Sequence, residues 1–351
     1  MKRYGNLYKK ICDPENLWQA HIRARRDKSH YIEVRRINRN PEKYLGPLQK
    51  MLREKTYKTS PYDVSLRQEG KKIREIYRLP YYPDRIVHHA IMNVVENIWL
   101  STMIRDTYQS MPGRGVHLAA GRIRKALDDD PKGTAFCLKV DVRKFYPSVD
   151  NDIMKRIVRK KIKDPELLWL LDEIINSTMG LPIGNYVSQI FGNLYLCELD
   201  HWMKEEKRVQ YYYRYCDDIV IFGECKDALH QLRYDIEQYL NDRLNLKMKG
   251  NWQVFPIDDR GIDVVGFRFF RSHTMLRKSI ASGFKRKIRK IERSWSFMTE
   301  TKIVNGLMSY NGWMKDADCS GLRRAYMTPY IKKIAACACA RSGRKVPGAL
   351  L

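Results

Sequence analysis

Three aspartates carry the chemistry that this sequence can do. Asp217 and Asp218 stand side by side in QYYYRYCDDIVIFGE, and Asp141 lies 76 residues earlier in AFCLKVDV. Adjacent carboxylates between runs of aromatic and β-branched residues are costly to keep ionised as those runs bury, unless a cation offsets them. Carboxylates brought together from two strands can bridge two hard cations about 4 Å apart, one activating an attacking hydroxyl and one neutralising a leaving phosphate. An isolated Asp-Asp pair is more often a turn, and an isolated strand-end aspartate a cap. The surrounding elements decide between the two readings.

Phe136, Leu138 and Val140 alternate with Cys137, Lys139 and Asp141, the period-2 pattern of a strand, so Asp141 falls at a strand end. QYYYRYCDDIVIFGE reads as two strands with a polar break at Cys216-Asp217-Asp218, which makes a hairpin with carboxylates at its tip. Between them, Asp164 followed by Pro165 predicts the start of the helix PELLWLLDEII by cap and first-turn proline. A second helix follows the loop GLPIGNY, with Phe191, Leu194, Tyr195, Leu199 and Trp202 as its apolar stripe. The helix CKDALHQLRYDIEQYLNDRL and further strands through VVGFRFF come next. Upstream, PENLWQAHIRARR and EKYLGPLQKMLREK read as helices and TYKTSPYDVSLRQEGKK as extended. KKIREIYRLPYYPDRIVHHAIMNVVENIW begins extended and turns helical after Asp84, its expected N-cap. This interleaving predicts an α+β fold rather than a doubly wound parallel sheet.

The chain has 66 Lys+Arg against 40 Asp+Glu, a net charge of +26 that calls for an anionic partner. Residues 271–351 hold 18 of the cations and 4 of the acids, which points to phosphate tracking by a C-terminal domain. There, GFKRKIRKIERSW sets Phe284, Ile288, Ile291 and Trp295 on one helix face and Lys285, Arg286, Lys287, Arg289, Lys290 and Arg293 around the rest. The eight cysteines show no C-x-x-C pair, and Cys337 and Cys339 in AACACA read as small helix-core residues, so reduced thiols are expected rather than disulfides or zinc. The start MKRYGNLYKK has no apolar signal core and no run approaches the ~18 apolar residues of a membrane span, so the expectation is a cytoplasmic protein off the membrane.

Taken together, KKIREIYRLPYYPDR, DVRKFYPSVD, GLPIGNYVSQ, YCDD and VVGFRFF resemble, in the same order, the motifs of reverse transcriptases of the group II intron, retron and diversity-generating lineages. The resemblance extends across nearly the whole chain. It implies a right-hand polymerase with an N-terminal extension and fingers over 1–135, a palm over 136–270 (about 150–185 returning to the fingers) and a basic helical thumb over 271–351. It also implies Asp141, Asp217 and Asp218 as catalytic carboxylates, Asp218 with the weaker role, holding two Mg²⁺ ions for which Mn²⁺ can substitute. Tyr146 falls where the family places an aromatic gate under the incoming sugar, its alternative being a core tyrosine. A ring there would clash with a 2′-hydroxyl and favour deoxynucleoside triphosphates.

By the same resemblance Lys72 and Arg74, ahead of Leu79-Pro80, clamp the triphosphate, and Ile183, Gly184 and Gln189 pack under the nucleotide. Lys247 in LNLKMKG is the lysine near the triphosphate, its alternative being a solvated surface residue. Gly266-Phe267 resembles the primer grip, where a missing side chain would let the primer backbone approach. Lys285, Lys287, Arg289 and Lys290 face the RNA template and its RNA/DNA duplex.

Many lineages have Gln-Gly where this chain has Ile183-Gly184, and Ser-Pro where it has Ser188-Gln189. The form found here is similar to diversity-generating retroelement enzymes, which use a small accessory protein, and to some antiviral-defence enzymes of bacteria. The absence of an endonuclease or zinc module after the thumb fits such a compact enzyme. A maturase-like RNA-binding protein on the same scaffold is the alternative from another class, and the joint presence of Asp141, Asp217, Asp218 and Tyr146 speaks against it.

Overall fold

A computed structural model describes residues 2–70 and 72–331. Cys337, Cys339 and the end of the expected thumb lie outside the described residues. Among the described residues the strands are β1 Asp63–Glu69, β2 Lys72–Arg78, β3 Phe136–Asp141, β4 Tyr211–Tyr215, β5 Asp218–Gly223, β6 Gln253–Pro256, β7 Ile262–Val264, β8 Phe267–Phe269 and β9 Thr274–Leu276. β1 and β2 form an antiparallel hairpin, four strands make a sheet in the order β4-β5-β3-β6, and β7-β8-β9 is a meander. With the helices between them, these sheets make a mixed α+β fold. The predicted strand at 136–141 and the hairpin broken before Asp218 are both present, although burial along 136–141 does not alternate: Cys137, Leu138 and Val140 are all buried and Phe136 is only half-buried.

The chain divides into two compact units, the first comprising residues 1–111, 140–219 and 231–252, the second 112–139, 220–230 and 253–351. In the first, the helix Ile86–Leu100 packs against Pro14–Ala24 and against Tyr186–His201. Helix Tyr186–His201 was expected to be amphipathic, but its residues from Ile190 to Cys197 are buried without interruption. It is a central helix, which explains why its polar members Asn193 and Asp200 must find partners inside.

Asp164 caps Pro165–Ile175 as predicted, accepting from the Glu166 and Leu167 amides, and its other oxygen accepts from Leu7 at 2.6 Å and Tyr8 at 3.0 Å. Asp84 does not cap a helix. The regular helix starts at Ile86 with no side-chain cap, while buried Asp84 accepts from the Tyr57 hydroxyl at 2.7 Å and the Ser60 amide at 3.0 Å.

In the second unit, helix Lys278–Arg293 buries Phe284, Ile288 and Ile291 and packs against Glu300–Met314. Trp295 does not extend that face, since the helix ends at Arg293 and Trp295 starts a short 3₁₀ turn. The hairpin β7–β8 pairs Val264 with Phe267, leaving Val265-Gly266 as a two-residue turn with φ of +45° and +87°. That turn class needs positive φ at both positions, which glycine accepts and valine resists.

Candidate active site

All the residues of the site described here, up to the primer-grip pair, belong to the first unit. Asp141 ends β3, and Asp217 sits in the turn between β4 and β5. Burial raises the pKa of Asp217, and the charge of Asp141 raises it further, so the two carboxylates face each other as a repelling pair. A cation already leans on this pair: Lys249 Nζ lies 2.5 Å from Asp141 Oδ2. Two facing acids with an ammonium drawn to them fit a site for divalent cations. Among the described residues no three His, Cys, Asp or Glu side chains converge as a metal cage. Asp218, the next residue and the first of β5, is adjacent to the pair in sequence without completing such a cage.

The lysine beside Asp141 is Lys249. The segment after helix Lys226–Leu244 runs antiparallel to the end of β3: the Arg143 amide donates to the Lys247 carbonyl, Val142 bridges Met248, and the Lys249 amide donates to the Asp141 carbonyl. This register sets Lys249 beside Asp141 and leaves Lys247 exposed.

The turn that carries Asp217 is held from within. Cys216 has φ +60°, a left-handed conformation that a non-glycine residue keeps only when its surroundings enforce it. Arg214 Nη1 donates to the Cys216 carbonyl at 2.9 Å, and the same nitrogen reaches Asn193 Oδ1 at 3.2 Å. Arg214 is itself paired with Asp200, whose oxygens also accept from the hydroxyls of Tyr212 and Thr107. Sequence reasoning missed Arg214 and Asp200. Their signals were an arginine inside an aromatic strand and an aspartate within an apolar helix.

Tyr146 lies one contact from the acidic pair. Burial pushes the Cys216 thiol up to about 12, so it keeps its proton, and its Sγ approaches the Tyr146 hydroxyl at 3.9 Å. The Tyr146 ring packs where Gly192 offers no side chain: a methyl there would lie 3.6 Å from its hydroxyl oxygen and 3.3 Å from Phe145.

The loop from Gly180 to Gln189 joins Tyr146 to the β1–β2 hairpin. The Leu181 amide donates to the Tyr146 carbonyl at 2.8 Å, and the Tyr77 amide of β2 donates to the Ile183 carbonyl at 2.8 Å. Two glycines make this possible. Gly180 has φ +70° and a methyl there would be 2.7 Å from the Tyr146 and Pro147 carbonyl oxygens. Gly184 has φ +127° and a methyl there would be 2.6 Å from the Tyr77 carbonyl oxygen. Gln189 is exposed in the first turn of the next helix and accepts from the Ser110 hydroxyl. Lys72 and Arg74 are exposed on β2, and the register opposite Glu69 and Arg67 puts both on the same face of the hairpin.

The expected primer-grip pair in the second unit has a different local basis. A methyl at Gly266 would lie 2.4 Å from the Trp313 ring and 2.9 Å from Ile280, so the missing side chain makes room for Trp313 rather than for a primer. Phe267 is fully buried against Phe269 and Trp313, a core residue and not a contact surface. On helix Lys278–Arg293, Arg289 and Lys290 are exposed, Lys285 Nζ lies 5.3 Å from the centre of the Tyr326 ring, and the Lys287 stem crosses Gly306.

Two strand-borne carboxylates thus face each other beside an aromatic residue and a glycine loop. The model of the family "Reverse transcriptase (RNA-dependent DNA polymerase)" matches residues 66–268, more than half of the sequence, and the chain belongs to that family.

Protein YkfC of Escherichia coli is 22% identical over 241 residues, covering 56% of this chain and 63% of that protein. The group II intron-encoded protein LtrA of Lactococcus lactis is 21% identical over 152 residues, 40% of this chain and 24% of its own. The chain therefore spans less than two thirds of either relative. A solved telomerase from Candida albicans aligns over 84% of this chain and 66% of its own, with 10% identity and a TM-score of 0.49. No helix among the described residues is long and apolar enough to cross a membrane, and the six described cysteines are free thiols.

Proposed function

We propose that Asp141 and Asp217 hold the two Mg²⁺ ions, or Mn²⁺ in their place, for copying an RNA template into DNA, with Asp218 in a supporting role. The facing of those two carboxylates carries this reading. When bound, the ions would activate the primer hydroxyl and neutralise the departing pyrophosphate. The chain's own part is to hold that geometry. Arg214 fixes the turn of Asp217, and Lys249 withdraws from Asp141 to leave the carboxylate available. Tyr146 excludes a 2′-hydroxyl, and the loop through Ile183, Gly184 and Gln189 supports the deoxynucleotide whose triphosphate Lys72 and Arg74 meet. Arg289 and Lys290 offer charges to the phosphates of the RNA/DNA duplex.

In this reading the fingers occupy 1–135, the palm 136–270 and the thumb 271–351. The Ile183-Gly184…Ser188-Gln189 form of the loop supports an enzyme of a diversity-generating retroelement, error-prone and served by a small accessory protein, and we place it in the cytoplasm.

Asp217→Asn tests the metal assignment. It is expected to abolish Mg²⁺-dependent DNA synthesis and leave RNA binding almost intact, because metal ligation and phosphate contacts are separate contributions. Synthesis retained by the purified variant would overturn the assignment.

A further inference from the structure

Against the loop Gly180–Gln189 is a small cavity lined by His88 of helix Ile86–Leu100, Ile174 and Ile175 of helix Pro165–Ile175, and Leu181, Asn185 and Ser188 of the loop. It leaves about 10 Å³ for the centre of a water molecule, room for one. His88 is 2% exposed, and its Nε2 has no hydrogen-bond partner among the described residues. Buried polar atoms in folded proteins are nearly always satisfied by protein or by ordered water. The lining holds two further buried polar residues, Ser188 and Asn185, and Asn185 already donates to the Tyr62 hydroxyl at 3.3 Å. Burial holds the His88 imidazole neutral, with its pKa lowered to about 4, so one ring nitrogen is left as an acceptor and the other as a donor.

The loop's anchors explain why this matters. Its first half is tied to the Tyr146 carbonyl at Leu181 and to the Tyr77 amide at Ile183. Beyond Gly184 the polar tie is Asn185 to Tyr62 alone, until the helix starts at Tyr186. We propose that one water molecule, bound by His88 Nε2 and the Ser188 hydroxyl, fills the cavity and sets the height of the loop, making His88 a positioning residue for the incoming deoxynucleotide. This rests on the reading of the loop as the support of that nucleotide.

The test is steady-state incorporation by the full chain on a defined RNA template and DNA primer. His88→Leu fills the space and removes the water's partner. It is expected to raise KM for deoxynucleotide roughly 5-fold, the effect of one hydrogen bond, with kcat little changed. His88→Gln can still bind the water and is expected to restore most of the loss. Ser188→Ala should raise KM as His88→Leu does, and it decides the matter if the leucine variant does not fold.

A wild-type KM in His88→Leu, a glutamine variant no better than the leucine variant, or an empty cavity in a crystal structure of the chain would each overturn the proposal. Gly184→Ala separates it from the loop reading, since its methyl strikes the Tyr77 carbonyl whether or not water is present. If Gly184→Ala raises KM and His88→Leu does not, the water assignment alone fails. If neither raises it, the loop does not support the nucleotide.

Discussion

Arg214 and Asp200 form an ion pair with both side chains fully buried, Nη2 lying 2.5 Å from Oδ2 and Nε 2.6 Å from Oδ1. Two charges removed from water this completely recover their desolvation cost only if every remaining donor and acceptor is used. Here they are: Tyr212, Thr107, Asn193 and the Cys216 carbonyl complete the set. The last of these is the link to the proposed metal site, because it fixes the left-handed residue immediately before Asp217.

Breaking this pair on one side should be far worse than removing it whole. Asp200→Leu leaves an uncompensated buried guanidinium and is expected to lose about 3–5 kcal/mol of stability, read as a lower urea midpoint. The double variant Arg214→Met/Asp200→Leu should regain most of that stability. Its DNA synthesis should still fall by roughly 10- to 100-fold, because the Cys216 carbonyl has lost its bracket. A double variant that polymerises at the wild-type rate would show that Arg214 serves folding only.

Lys249 leads to a prediction that needs no activity measurement. In the metal-free chain its ammonium offsets the repulsion between Asp141 and Asp217, and with both partners about a third exposed the pair contributes about 1 kcal/mol at most. Lys249→Met should therefore lower the Tm of the metal-free protein but hardly change that of the Mg²⁺-loaded one, since divalent cations displace the lysine in the parent. The Mg²⁺-induced rise in Tm should be larger in the variant by roughly 2 °C. An equal rise in both proteins would place the metals away from Asp141.

Stability should also fall in mild acid through His88. Its folded pKa, lowered to about 4 by burial, lies below the 6.5 of an ordinary histidine, so between these values the unfolded chain binds the extra proton. The contribution is fully present above pH 6.5, declines as the pH drops toward 4, and amounts to about 3 kcal/mol over that window. His88→Gln cannot take up this proton. Urea midpoints of the two proteins measured at pH 7 and pH 4.5 should converge as the pH falls, and parallel curves would mean that His88 is accessible to protons in the folded state.

The parts of the site that were legible in the sequence are those encoded by near neighbours. The strand ending in Asp141 and the hairpin carrying Asp217 announce themselves by alternation and by a polar break, and Asp164-Pro165 by cap chemistry. What was not legible depends on long-range register or burial. Lys247 and Lys249 flank Met248 alike, and only pairing with residues 141–143 selects Lys249. Gly266 looks like a place for a ligand until Trp313, 47 residues later, is seen to occupy it. Asp84 has the composition of a cap, yet Tyr57 and the Ser60 amide claim its carboxylate.

Fidelity should depend on the side chain at position 183. The backbone of Ile183 is fixed by its carbonyl's bond to the Tyr77 amide, so Ile183→Gln changes the side chain without releasing the loop. A glutamine amide can hydrogen-bond the incoming sugar and hold the nucleotide in one pose, whereas isoleucine can only fill space. One neutral hydrogen bond that acts on the correct pair alone is worth roughly 0.5–1.5 kcal/mol, or about 2- to 13-fold in discrimination. Wild-type enzyme copying a defined RNA should therefore make errors more often than Ile183→Gln by a factor in that range. In the proposed diversity-generating role those errors would fall opposite template adenines, although nothing in the chemistry of isoleucine selects adenine. Sequencing the complementary DNA made by both proteins measures rate and position together. Equal error rates would remove Ile183 as the cause of infidelity, and an accurate wild type with no adenine bias would turn the biological reading from diversification toward antiviral defence.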